Sequence, residues 1–149
     1  MEMLSKIALA VWGVFLLFVL SALFISSMPI YWLWLALGLI VCGLLVRGLR
    51  THRSLAMVNA GAAVVFLGTF TLYWIAIAAT IYGDTPTGAL AGTRLENMLY
   101  VIVGNFQQGQ IWAGLRSAYI QLLMPLIQLG VLIAAIALAK RGRTGNAAA

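Results

Sequence analysis

Residues 7–46 read IALAVWGVFLLFVLSALFISSMPIYWLWLALGLIVCGLLV, and no charged side chain interrupts them. A helix needs about 20 mainly apolar residues to cross the hydrocarbon core of a bilayer. This stretch is long enough for two crossings, and Ser26-Ser27-Met28-Pro29 divides it. Proline suits the first position of a helix, because its missing N–H would be unpaired there anyway. The pattern predicts one span over residues 7–25 and a second over residues 30–46. Lipid offers backbone groups no hydrogen-bond partner, so each span must be a helix that satisfies itself.

The rest of the chain repeats this logic. Arg47, Arg50, His52 and Arg53 close the second span. A third is expected over residues 55–81, longer than the bilayer requires and therefore tilted or protruding. Gly83-Asp84-Thr85-Pro86 ends it. A fourth is expected over residues 118–139, before Lys140-Arg141-Gly142-Arg143, and residues 142–149 read as a flexible tail. The fold class is an all-α integral membrane protein, a four-transmembrane-helix bundle in a single membrane domain over residues 1–149. The first apolar run exceeds the ~7–15 residues of a signal-peptide core, so it is expected to remain as a span.

Composition agrees. The chain is 64% hydrophobic and 8% charged, where soluble domains are about 45–50% apolar and 25% charged. In water such a surface would be a large adhesive patch. The net charge of +6 does not indicate nucleic acid. Most cations flank apolar runs, where they set topology and meet lipid headgroups. Cys42 stands alone, so no intramolecular disulfide forms, and one His with one Cys makes no usual zinc site. No cofactor and no metal are expected.

Residues 83–117 are the exception to the span pattern. Thr93-Arg94-Leu95-Glu96 matches a capping box, which predicts a helix from about Arg94. Leu95, Leu99, Ile102 and Phe106 then follow at helical spacing. The apolar run breaks at Gly104-Asn105, and Gln107-Gln108-Gly109-Gln110 is too polar for lipid. Residues 111–115 alone are too short to span. An amphipathic interfacial or re-entrant helix is expected between the third and fourth spans, with a fifth span as the rival.

Orientation follows from the cations. Four spans put Lys6, Arg47, Arg50, Arg53, Lys140, Arg141 and Arg143 on one side, and Arg94 and Arg116 on the other. The cation-rich side is expected to be cytoplasmic, with both termini there, in a bacterial inner (plasma) membrane. Tyr31, Trp32 and Trp34 read as an aromatic belt at the outer interface.

Candidate functional residues are few. Charge inside a span usually marks function, and the four expected spans carry none. Gln121 and Gln128, seven residues apart, should share a face of the last helix, with Pro125 kinking it between them. That face is either helix–helix hydrogen-bonding glue or the lining of a path. Asn59 is expected to bond to a neighbouring helix or to interfacial water. Thr69 and Thr71 can bond back to their own helix. Gly130 and Ala134 make a weak small-xxx-small pair for packing within or between chains. Arg47, Arg50 and Arg53 are candidates for lipid or partner contact. Glu96 and Arg116 are candidates for an outer-face ion pair.

The outer polar residues lack a nucleophile–base pair, so the chain is not expected to be an enzyme. It reads as a small non-catalytic membrane protein. An accessory or structural subunit would pack against a larger membrane partner or form a homo-oligomer. The alternative is a small oligomeric transporter or channel with its path along the Gln face. Membrane lipids and a protein are the expected partners, and nucleic acid is not.

Overall fold

The computed structural model describes residues 2–26, 28–51, 56–82 and 94–146. These residues are helical almost throughout: α1 (Glu2–Leu23), α2 (Pro29–Thr51), α3 (Ala56–Tyr82), α4 (Arg94–Gln107), α5 (Ile111–Ala118) and α6 (Met124–Asn146). A π-helical turn, Tyr119–Leu123, joins α5 to α6 into one continuous helix. Among the described residues four helical stretches are long and apolar enough to cross a bilayer: Met3–Leu23, Pro29–Thr51, Ala56–Ile75 and Ile111–Lys140. The protein is a small all-helical membrane protein, and its helices fit a four-span bundle.

The last helix starts at Ile111, earlier than the expected residue 118. The polar Gln107–Gln110 segment and Arg116 suggested a separate short element, but nothing between Ile111 and Ala118 breaks the backbone ladder. The Tyr119 N–H donates to the Leu115 and Arg116 carbonyls across the boundary. At 1.5 Å per residue, Arg116 lies about 36 Å from Lys140. The hydrocarbon core is about 30 Å thick, so Arg116 can sit beyond its far edge. At the other end, α6 runs on to Asn146, where a flexible tail was expected from residue 142. Basic residues favour the C-terminal end of a helix.

Pro125 explains the π turn. It has no N–H to give the Gln121 carbonyl four residues earlier. The helix widens instead, and the Met124 N–H donates to the Tyr119 carbonyl five residues back.

α1 packs on α2, α2 on α3 and α3 on α6, while α1 meets the π turn and closes the ring. Buried positions on α2 are Trp34, Gly38, Val41, Leu45 and Gly48; on α1 they include Trp12, Phe15, Val19 and Ala22. This alternation of three and four residues keeps one seam facing the neighbouring helix. The seam is filled by rings. Phe15 meets Trp12, Trp34 and Phe66 at centroid distances of 5.5, 6.1 and 5.3 Å. Trp34 meets Phe66 at 5.6 Å and Tyr73 at 5.5 Å. α1 and α2 pack tightly at Gly38, where an added Cβ would lie 2.6 Å from Leu16 Cδ2.

The expected aromatic belt is corrected here. Trp34 has 0% exposure and belongs to the core. Tyr31 is half-buried, 5.9 Å from Trp34 and 6.4 Å from Tyr73. Only Trp32 of the three is exposed. The helical turn of ~3.6 residues puts positions 31 and 34 on one side and 32 on another.

α4 does not stop at Gly104-Asn105 but continues to Gln107. The chain reverses through Gly109, at φ 73°. The Gly109 N–H donates to the Phe106 carbonyl at 3.0 Å and the Gln110 N–H to the Asn105 carbonyl at 2.9 Å. These paired bonds form a Schellman motif. α5 begins at once, and α4 folds back along it. The Phe106 ring covers Gly114, where an added Cβ would lie 2.9 Å from three ring carbons. Of the predicted face, Ile102 is buried, while Leu99 and Phe106 keep about 40% exposure (42% and 41%). Thr93 of the capping box lies outside the described residues.

A left-handed backbone is unfavourable for any residue with a Cβ, by roughly 1–2 kcal/mol. Gly109→Ala is therefore expected to raise local opening of this turn about fivefold. Faster hydrogen exchange at the Gln110 and Gly114 amides, with the spans unaffected, is the result to look for.

Candidate functional site

α1 touches the last helix through Tyr119, whose hydroxyl donates to the Val11 carbonyl at 2.7 Å. Phe18 supports this contact, 5.2 Å from Tyr119 and 5.1 Å from Trp112. Toward the Lys6 and Lys140 ends the two helices diverge and leave a cleft of about 270 Å³. Ala8, Val11 and Trp12 of α1 face Gln128 and Val131 of α6 across it, with Asn59 of α3 also on the wall. Exposed Leu4, Ile7 and Ala134 stand at its edges, so it opens outward.

Gln128 is the polar side chain that this cleft shelters most completely. It is 1% exposed. Its Nε2 donates weakly to Met124 Sδ at 3.5 Å. Its Oε1 is buried and has no hydrogen-bond partner among the described residues. Counting from Lys140 at 1.5 Å per residue, Gln128 lies about 18 Å along the helix, near the middle of a ~30 Å core. The π turn puts Gln121 in different surroundings. It is half-buried, its Oε1 is enclosed without a hydrogen-bond partner among the described residues, and it is not in the cleft lining. The seven-residue spacing does not return to one face because a wide turn intervenes.

Two indole N–H groups tie α3 to its neighbours. Trp12 Nε1 donates to Asn59 Oδ1 at 3.3 Å, and Trp34 Nε1 donates to Thr69 Oγ1 at 2.9 Å. The Thr69 hydroxyl in turn donates to its own helix, 3.0 Å from both the Val65 and Phe66 carbonyls. A buried indole N–H needs such a partner. Each bond contributes roughly 0.6 kcal/mol inside a membrane bundle. Thr71 bonds back to Leu67 at 2.8 Å.

The remaining candidates lie elsewhere. Arg47 and Arg50 are exposed at the end of α2, and Arg53 lies outside the described residues. Glu96 is exposed on the first turn of α4, while Arg116 on α5 is half-buried, its Nη1 enclosed without a hydrogen-bond partner among the described residues. Gly130 and Ala134 are exposed, and nothing lies within 4 Å of an added Cβ at Gly130. Among the described residues that pair therefore makes no close approach. Cys42 is half-buried on α2. Among the described residues no group of three or more His, Cys, Asp or Glu could hold a metal ion.

The cleft was not visible in the sequence, because Trp12 and Ala8 are ordinary apolar positions until α1 is set beside α6. What the arrangement offers is a mainly apolar recess with the Gln128 side chain, its Oε1 enclosed, in the wall. No protein-family model matches this chain, no curated protein matches it, and no solved structure matches it.

Proposed function

We propose that this protein is a non-catalytic accessory or structural subunit. It packs in the membrane against a larger partner, or against copies of itself. The observation that carries the reading is the filled interior. Trp12, Phe15, Trp34 and Phe66 interlock where a conducting path through one bundle would run, each with 0% exposure. The outward faces then remain as working surfaces. Leu17, Leu39, Val64 and Ile133 are exposed on α1, α2, α3 and α6, one or more on every span. The orientation has the Lys6, Arg47 and Lys140 side cytoplasmic, in a bacterial inner membrane. The exposed Arg47 and Arg50 would meet anionic headgroups there, at about 1 kcal/mol each. The α4–α5 hairpin would lie at the outer interface.

A small oligomeric transporter remains the second reading, favoured by the cleft and by the enclosed Gln121 and Gln128 oxygens. One preparation separates the two. A C-terminal green fluorescent protein fusion, purified in mild detergent, is expected to carry a stoichiometric membrane partner or to run as a homo-oligomer without flux in liposomes. Solute flux from the purified oligomer would overturn the subunit reading. Fluorescence of the fusion reports a cytoplasmic C-terminus; a dark, exported fusion would overturn the orientation.

A further inference from the structure

We infer that the cleft between α1 and α6 binds a neutral lipophilic molecule carrying an O–H donor, which hydrogen-bonds Gln128 Oε1. This goes beyond the subunit reading and does not depend on it. Three observations carry it.

The first is the acceptor. Gln128 is 1% exposed, lines the cleft, and its Oε1 has no partner among the described residues. Oε1 is enclosed, so binding turns the Gln128 amide toward the recess, and an unpaired carbonyl oxygen in hydrocarbon then holds the donor firmly. Trp12 does not supply one, because its indole N–H is already given to the Asn59 Oδ1, and no bond from the Asn59 amide reaches it. The second is the lining. Among the described residues no charged side chain borders the cleft, which suits a neutral molecule. Ala8, Val11, Ile127, Val131 and Ala135 present apolar walls. The third is size and access. At about 270 Å³ the cleft holds a ring with a short chain, nine waters' worth at ~30 Å³ each. One turn of a transmembrane helix occupies roughly 400 Å³ by its ~10 Å width and 5.4 Å pitch. A turn of a partner helix is therefore too large to enter the cleft. The exposed edge at Leu4, Ile7 and Ala134 faces the bilayer side of the bundle, from which a lipid-soluble molecule enters.

The test compares two probes that differ only in the donor: a diazirine-bearing alkylphenol and its O-methyl ether. The full-length protein in proteoliposomes is photolabelled with each, and the adducts are mapped by mass spectrometry. The phenol is expected to label the cleft-lining parts of α1 and α6 saturably, at concentrations about tenfold below the ether. Gln128→Leu keeps the volume and removes the acceptor, and is expected to bring the phenol to the level of the ether while leaving the ether unchanged. Ala135→Phe fills the recess and is expected to abolish saturable labelling by both. Equal labelling of the wild-type protein by phenol and ether overturns the proposal. So does labelling that never saturates, that falls outside the cleft, or that survives Gln128→Leu unchanged. The wild-type comparison needs no variant, so a folding defect in either substitution leaves a decisive result.

Discussion

Trp34→Ala is expected to destabilise the bundle by about 3 kcal/mol, near the lower end for removing a large buried aromatic. The measurement is an SDS titration from mild detergent, read by resistance to a pulse of protease, with the midpoint moving to lower SDS. The lower end is appropriate because lipid is as apolar as the core, so the hydrophobic term is mostly absent and lost packing dominates. Trp34 has 0% exposure and touches Phe15, Phe66, Phe70, Tyr31 and Tyr73 at centroid distances of 5.5–6.3 Å. It therefore holds α1, α2 and α3 together at one point. Trp34→Phe separates ring packing from the hydrogen bond. Phenylalanine keeps most of the contact, and Thr69 still donates to its own helix. The expected loss is only about 1 kcal/mol. Equal losses for the two variants would mean that the indole N–H, not the packed ring, carries the effect.

Gly38→Leu is expected to cost about 3 kcal/mol by overpacking the α1–α2 contact. The Cβ alone would stand 2.6 Å from Leu16 Cδ2 and 3.0 Å from Cγ. A single methyl can be absorbed by rotating Leu16, so Gly38→Ala should be nearly neutral. A full leucine side chain forces the helices apart. Combining it with Leu16→Ala returns the lost volume and should recover about 1.5 kcal/mol as a coupling energy. Without that recovery, close approach at Gly38 would not be the cause of the loss. Gly43 is the internal control. It lies on the same helix, but nothing stands within 4 Å of an added Cβ there. Gly43→Leu should therefore leave stability nearly unchanged.

These two residues also show where sequence reading stops. Trp34 looked like an interfacial belt residue because it follows Tyr31 and Trp32 near the start of a span. Belt and core tryptophans have the same composition signal, and only the direction of the indole separates them. Gly38 and Gly43 both lie on α2, yet an added Cβ would be pressed against Leu16 at the first and would meet nothing among the described residues at the second. Gln121 and Gln128 looked like one stripe, because a seven-residue spacing is read on a regular helix. Pro125 lacks an N–H and so disturbs a regular helix. Its outcome, a wide turn at Tyr119–Leu123, depends on how the chain accommodates the missing N–H.

The amino-acid sequence by itself determined that this is a membrane protein made of long apolar helices. It also set nearly where they lie, from residues 7–25 against the observed Glu2–Leu23 to the helix that starts near Arg94. The reason is local. Span length, proline and glycine breaks, and cations at span ends act within a few residues, and lipid leaves the backbone no structure but helix. The tertiary structure alone decided which faces meet. It buried Trp34, chose Gly38 as the contact of α1 with α2, fused Ile111–Ala118 to the last span, and left a cleft beside Gln128. In lipid every face of these helices is apolar, so hydrophobicity does not say which one turns inward. Ring shape, close approach at glycine and a few buried hydrogen bonds make that choice, and they exist only once the helices stand side by side.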